Sequence, residues 1–335
     1  MRIGIHNEGI LDLSIVRGVG SYVTMMLEAL EQYGSRYNIQ LDQSNHTVLI
    51  HPGFVPYSRL QLDQKKKNVV VIHDLIPIKY PRYFPAGWRG VWKWYQNSHE
   101  LHKSTSFITV THVVQQEISD RLHIPLSKIN VVYPAAKKIF YSPKKPIGNF
   151  VQASKLPLKY ALYVGDVTWN KNLETLARAV QEANITLVLV GKALTQRDNI
   201  RHPWQRSFCK FLSITKGDKR FIFLGYVPDE QVVSLYQHAA CTVLPSYDEG
   251  FGLPWLEASL VGSPVIVSQI PVMEEVTQGV SVYCDPTNVH SLAQTMGEIY
   301  FNGGSKNISK QLKRAKTFSQ EAFVKSLAES LQKLE

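Results

Sequence analysis

The chain has 335 residues, 44% hydrophobic and 19% charged, which fits a globular protein of two domains and excludes a fibrous or low-complexity one. No apolar run nears the roughly 20 residues that span a bilayer, "MRIGIHNEG" lacks the apolar core of a signal peptide, and three cysteines without metal-ligand spacing predict reduced thiols in a cytoplasmic protein. The formal charge of +10 is uneven: residues 1–150 hold 18 Lys and Arg against 10 Asp and Glu, the remainder 19 against 17, so the first half is expected to meet an anionic partner.

Short β-rich runs alternate with amphipathic helical patterns, which predicts parallel-sheet α/β layers. In the first half the strands are read at "RIGIH", "TVLIH", "NVVVIHD", "SFITVTH" and "INVVYP". The helix after the first strand, "GSYVTMMLEALEQYG", shows an apolar stripe at Val23, Met26, Leu27 and Leu30 and stops at Gly34. "PAGWRGVWKWYQNSHELHK" interleaves Trp88, Trp92, Trp94 and Tyr95 with Arg89, Lys93 and Lys103. Aromatic and basic side chains together suit anionic lipid headgroups, or single-stranded nucleic acid stacking on rings. The plainer alternative places Trp92 and Tyr95, three apart on one helical face, in the core. "HELH" at His99 to His102 lacks the spacing of the helical zinc motif.

The Lys- and Pro-rich "YSPKKPIGNFVQASKLP" lacks periodicity and reads as a linker. The pattern then restarts: strand "YALYVGD", helix "NLETLARAVQEA", strands "ITLVLVGK" and "RFIFLGYV", helix "DEQVVSLYQHA" and strand "CTVLPS". "LPWLEASLVG", "SPVIVS", "SVYCDP" and the helical "VHSLAQTMGEIYF" and "QEAFVKSLAESLQKL" follow. The expected architecture is two Rossmann-like, doubly wound domains facing a cleft, residues 1–150 and 151–317, with a helix over 318–335 completing the first.

The stretch "LPSYDEGFGLPWLEASLVGSPVIVS", Leu244 to Ser268, sets two glutamates around a glycine-rich turn. Pro254 suits the first turn of a helix starting near Leu253. The amides of Phe251, Gly252 and Leu253 then lie at a helix N-terminus, which favours oxyanions and hydroxyls. Glu249 and Glu257 are offset carboxylates, acceptors only, and suit a hydroxyl-rich ligand. Taken singly, Glu257 could simply complement the helix dipole and Glu249 could be solvated; the whole string argues against that. His73, at a strand end before Asp74, could equally be a structural hydrogen bonder. "GVG" at Gly18 to Gly20 lacks the third glycine of a dinucleotide fingerprint, since position 23 is Val23.

"EGFGLPWLEA" resembles the E-x7-E signature of retaining glycosyltransferases of the GT-B fold, family 4. "RGVGSYVTMMLEAL", "VIHDLIPIKYP", "ITVTHVVQQEISDRLHIPLSKINVVYPA" and "YVGDVTWNKNL" resemble further segments of that family in order. The resemblance implies transfer of a sugar from a nucleotide-sugar with retained anomeric configuration, the first domain on the acceptor side and the second binding the donor. It implies that Glu257 accepts from ribose hydroxyls, that Glu249 and the amides of Phe251, Gly252 and Leu253 hold the donor sugar, and that Lys171 meets the diphosphate. Gly18 would approach that diphosphate, and His73 would sit at the reacting face. Where many relatives carry an arginine, this chain has Asn170 or Asp166, so Lys192 is the expected second cation. No Asp-x-Asp pair is present, so neither metal nor other cofactor is expected.

"HDLIP" is similar to relatives that use GDP-mannose. The expected acceptor is a glycan or lipid-linked glycan, with Trp88, Arg89, Trp92 and Lys93 as candidates for acceptor or peripheral membrane contact. Nucleic acid is not favoured as partner. Two other readings stay open: a nucleotide- or nucleic-acid-binding protein without catalysis, and a sugar-nucleotide epimerase of similar shape.

Overall fold

The computed structural model describes residues 1–6, 17–141, 155–195, 202–303 and 307–334. The chain divides into two compact units, Met1–Lys138 with Phe318–Glu335, and Ile139–Thr317. Most of the expected linker lies outside the described residues.

The first unit is built on a six-stranded sheet in the order β2-β1-β3-β4-β5-β6. Its strands are β1 (Arg2–Ile5), β2 (Gln40–Leu41), β3 (Val48–His51), β4 (Lys67–Ile72), β5 (Ser106–Thr109) and β6 (Ile129–Val131), and every pairing is parallel. Runs such as Val48–His51 and Ser106–Thr109 are buried at every residue, as a sheet covered on both faces requires. The helix Arg17–Tyr33 turns Tyr22, Val23, Met25, Met26, Ala29 and Leu30 inward. Leu27, expected in the apolar stripe, is instead exposed, because the buried arc is centred on Tyr22 and Met26. The last helix, Gln320–Gln332, belongs to this unit: Gln320 Nε2 donates to Glu28 Oε2 at 3.0 Å and to the Ala136 carbonyl at 3.1 Å. Phe323 meets the Tyr22 ring edge-on at 5.9 Å.

The second unit repeats the plan in the order β12-β11-β10-β7-β8-β9, again wholly parallel. Its strands are β7 (Ala161–Val164), β8 (Leu187–Val190), β9 (Phe221–Gly225), β10 (Cys241–Leu244), β11 (Val265–Ser268) and β12 (Val282–Cys284). From β7 the chain moves outward through β8 and β9, then returns past β7 to β10 and out to β12. The reversal between β7 and β10 is a topological switch point, where loops leaving neighbouring strands diverge and open a crevice at the carboxyl edge. Helices Leu173–Ala183 and Val289–Asn302 pack on this sheet with a core that includes Leu176, Val180, Leu292 and Met296. The helices Ile76–Lys79, His112–Leu122, Lys138–Tyr141, Arg206–Thr215, Pro271–Thr277 and Ile308–Ala315, and the two-residue β2, were not expected.

Candidate functional site

The loops leaving β7 and β10 are stitched together at the switch point. Asn170, only 4% exposed, donates its Nδ2 to the Asp248 carbonyl at 3.1 Å, and its own carbonyl receives the Tyr247 amide at 2.8 Å. Asn172 Nδ2 donates to the carbonyls of Pro245 at 2.8 Å and Pro286 at 2.7 Å. Asn172 adopts the left-handed conformation, φ 55°, which asparagine tolerates better than most residues. Trp169 stacks on Tyr247 with centroids 5.0 Å apart. Asp166 has a local task as well: its carboxylate accepts from the Val167 amide at 2.7 Å, and its carbonyl accepts from the Tyr163 hydroxyl at 2.5 Å. The two positions where a cation was missed are thus structural fasteners.

The lysine between those asparagines faces the acid on the opposite loop. Lys171 Nζ lies 2.7 Å and 2.9 Å from the two carboxylate oxygens of Glu249. Ser246 Oγ donates to the same carboxylate at 2.7 Å. The Glu249 side chain is 10% exposed and that of Lys171 22%, so Glu249 is not the solvated acid of the plainer reading. An ammonium and a carboxylate this far from water are held by charge and by a third hydrogen bond, at the expense of solvation that each would regain elsewhere.

Glu257 occupies a separate place. The helix Leu253–Leu260 opens after Gly252, with Pro254 in its first turn as expected. Gly252 has φ +91°, a left-handed backbone that favours glycine. Trp255, Leu256, Ala258, Ser259 and Leu260 are buried, and Trp255 Nε1 donates to Ser281 Oγ at 2.7 Å. Leu253, Pro254 and Glu257 form the half-buried side, and the Tyr236 hydroxyl donates to Glu257 Oε2 at 3.2 Å. Phe251 is buried beside the helix start. Lys192 directly follows the loop glycine after β8 and is exposed. A β-carbon on Gly191 would lie 2.1 Å from the Gly165 carbonyl oxygen, so the loops after β7 and β8 meet backbone to backbone and carry Lys171 and Lys192 on one sheet edge.

In the first unit, His73 follows β4. Its Nε2 donates to the Pro52 carbonyl at 2.9 Å, and its ring meets that of Tyr22 at 4.6 Å. Burial lowers its pKa below 6.5, against the smaller opposing effect of that bond, so it is neutral at pH 7 with Nδ1 as an acceptor. Gly18 is exposed in the first turn of its helix, and a β-carbon there would meet nothing within 4 Å. Trp88, Arg89, Trp92 and Lys93 are all exposed on the helix Gly87–Leu101. The core placement of Trp92 and Tyr95 is overturned: they are 61% and 71% exposed, and Trp94 packs inward against Phe54 instead. Among the described residues no group of three or more His, Cys, Asp or Glu is placed to hold a metal ion.

The sequence reading brought out Lys171, Glu249 and Glu257 but missed Ser246, Tyr236, Asn172 and Tyr247. Asn172 had a local signal, an asparagine immediately before an apolar helix. The others did not, because their partners lie on distant segments.

Comparison with known proteins gives these features a setting. Residues 147–320, more than half of the chain, match the family described as "Glycosyl transferases group 1". The chain is 29% identical over 270 residues to O-antigen chain mannosyltransferase B of Escherichia coli, covering 76% of this chain and 68% of that protein. It is 26% identical over 228 residues to O-antigen chain mannosyltransferase RfbU of Salmonella typhimurium, covering 68% of this chain but only 59% of that one. The crystal structure of Anabaena HepE in complex with UDP-glucose superposes with a TM-score of 0.71 over 99% of both chains at 14% identity, a likeness of fold. The two doubly wound α/β units are therefore those of a GT-B glycosyltransferase, and the chain belongs to the glycosyl transferases group 1 family.

Proposed function

We propose that this glycosyltransferase moves mannose from GDP-mannose onto a glycan or lipid-linked glycan during polysaccharide assembly, with retention at the anomeric carbon and without a metal ion. The relatives named above are O-antigen mannosyltransferases, which supports the sugar and the acceptor class.

The observation that carries the reading is the Lys171–Glu249 pair at the switch point. Breaking the bond from C1 to the diphosphate leaves negative charge on phosphate oxygens, and a fixed cation beside them stabilises that transition state. Here the cation rests on Glu249. An incoming diphosphate competes for Lys171, and Glu249, relieved of it, becomes an acceptor for hydroxyls of the donor sugar. Lys192, on the adjacent loop, supplies the second positive charge. Glu257 takes the ribose hydroxyls, and the amides of Phe251, Gly252 and Leu253 support the sugar. Gly18 leaves its backbone bare for the diphosphate, and neutral His73 accepts a hydroxyl hydrogen through Nδ1 at the reacting face. The acceptor hydroxyl enters on the face the diphosphate leaves, a phosphate oxygen takes its proton, and no enzymic nucleophile is required.

Titration calorimetry with GDP, UDP, ADP and TDP and their sugars, with and without EDTA, tests the donor. Selective, EDTA-insensitive binding of GDP-mannose is expected, and NMR of the product is expected to show the donor's anomeric configuration. Failure to bind any nucleotide, or an inverted product, overturns the proposal.

A further inference from the structure

The helix Gly87–Leu101 carries a surface that the transfer reaction leaves unexplained. At about 100° per residue its side chains sort into three arcs. Gly90, Trp94, Asn97 and Leu101 face inward, and Asn97, 1% exposed, fixes the helix to the loop between β3 and β4. Its Nδ2 donates to the carbonyls of Pro56 at 2.8 Å and Ser58 at 2.5 Å, and its Oδ1 accepts from the Leu60 amide at 2.9 Å. The opposite arc holds Trp88, Val91, Trp92 and Tyr95, all at least 60% exposed. Trp92 and Tyr95 stack on each other there, with centroids 6.4 Å apart. Between these arcs lie Arg89 and Lys93, and the Arg89 guanidinium sits 5.0 Å over the Trp88 ring.

The inward arc already anchors the helix, so the fold does not ask for tryptophan on the outside. Three large rings and a valine protruding into water carry an avoidable hydrophobic cost, roughly 2 kcal/mol for each large apolar side chain. Along the sequence the charge beside them has one sign: no Asp or Glu occurs between Asp74 and Glu100, while Lys79, Arg82, Arg89 and Lys93 do, and Glu100, in the last turn of the helix, pairs with Lys103 at 2.7 Å. Lys79 is engaged by Glu117, which leaves Arg82, Arg89 and Lys93 as the exposed bases.

We infer that this helix is a docking surface for an anionic lipid bilayer, lying in the plane of the interface with Trp88, Val91, Trp92 and Tyr95 among the upper acyl chains. Arg89 and Lys93 lie on the flank, level with the headgroups. Indole and phenol rings favour the headgroup boundary, and bases flanking them gain from the negative surface potential. The rings stand on a convex helix with an aliphatic residue among them, a shape for partition into lipid rather than for a threaded single strand, which binds along a groove.

The test is co-sedimentation of the full chain with phosphatidylglycerol-containing vesicles and with pure phosphatidylcholine vesicles. Binding to the anionic vesicles, with little to the neutral ones, is expected. Arg89→Gln with Lys93→Gln should weaken it by about tenfold or more, since each base near the surface contributes on the order of 1 kcal/mol. Trp88→Ser, Trp92→Ser and Tyr95→Ser together should abolish it while leaving circular dichroism and the melting temperature unchanged. In the unaltered chain, brominated lipid should quench tryptophan fluorescence, a readout that needs no variant to fold.

Equal binding to both vesicles, or none, overturns the inference. So does a dimer in lipid-free solution that the serine variants dissociate, which would make the face a contact between copies, or a preference for oligonucleotide over vesicles. The nucleotide titration reads a different part of the molecule, so either proposal can fail alone.

Discussion

The two units share a plan of six parallel strands, yet their carboxyl edges carry opposite chemistry. At the switch of the second unit, a charged pair is held by Lys171 and Glu249, with Glu257 on the following helix. At the corresponding reversal of the first unit, between β1 and β3, the rings of His6 and His51 stand 4.7 Å apart, and His73 lies at the end of β4. Burial lowers the pKa of His51 and of His73, so these two imidazoles are neutral at pH 7 where the other edge holds an ion pair. The plan fixes where a site can be, and the few residues beyond each strand decide what it can do.

The comparison breaks most sharply at Lys171. Lys171→Ala is expected to lower turnover by about a hundredfold or more, the scale for removing a group that meets developing charge. It should weaken nucleoside diphosphate binding far more than nucleoside binding. It should also cost the fold about 1–3 kcal/mol, because the Glu249 carboxylate loses its cation while mostly shielded from water. Lys171→Met combined with Glu249→Gln should recover much of that stability in thermal melting and none of the activity. Recovery of both would reduce the pair to a structural fastener like Asn170.

That pair also marks how far the sequence could be read. The strand–helix alternation showed because parallel strands covered on both faces are written as short apolar runs such as "TVLIH" and "SPVIVS". The glycine turn before Leu253 showed because its chemistry is local. The bond between Lys171 and Glu249 did not, because it joins residues 78 positions apart, and only the β10–β7 pairing brings them together. β2 was missed because two exposed residues, Gln40 and Leu41, carry no alternation. Leu27 was misplaced because nearly every residue around it is apolar, and pattern alone does not choose the centre of the buried arc. Trp92 and Tyr95 were open to a core reading for a related cause: spacing puts them on one face without saying which way it looks.

Glu257 sharpens the contrast within the second unit. Glu257→Ala is expected to weaken GDP and guanosine alike by about tenfold, the worth of a hydrogen bond to a charged group. Lys171→Ala should discriminate between the two ligands. Tyr236→Phe removes only the hydroxyl that orients the carboxylate and should act in the same direction with a smaller effect. Affinity of Glu257→Ala for GDP and guanosine unchanged from that of the unaltered chain in calorimetry would take the residue out of the ribose site.

The two buried imidazoles of the first unit predict a pH dependence of stability. His51 and His73 are harder to protonate in the fold than in the unfolded chain, where the ordinary value is 6.5. Below about that pH the unfolded state binds more protons, so stability is full above it and falls as pH drops toward the folded pKa values. Melting temperature should decline between about pH 6.5 and 5, and His51→Gln should flatten that decline. A decline of equal slope in the variant would assign the protons elsewhere.

The smallest expected effect falls on Gly18, and its sign is informative. The residue lies in the first turn of the helix Arg17–Tyr33, and space is open around the position of a β-carbon. Among the described residues nothing in the packing asks for glycine, and alanine is the better helix former by up to about 1 kcal/mol, less near a helix end. Gly18→Ala should therefore leave the melting temperature unchanged or slightly raised. If the bare backbone serves close approach of a diphosphate, the same change should lower turnover several-fold. A variant that is more stable and slower separates a glycine kept for a ligand from one kept for the fold, whereas unchanged kinetics would remove Gly18 from the donor site and leave the diphosphate to Lys171 and Lys192.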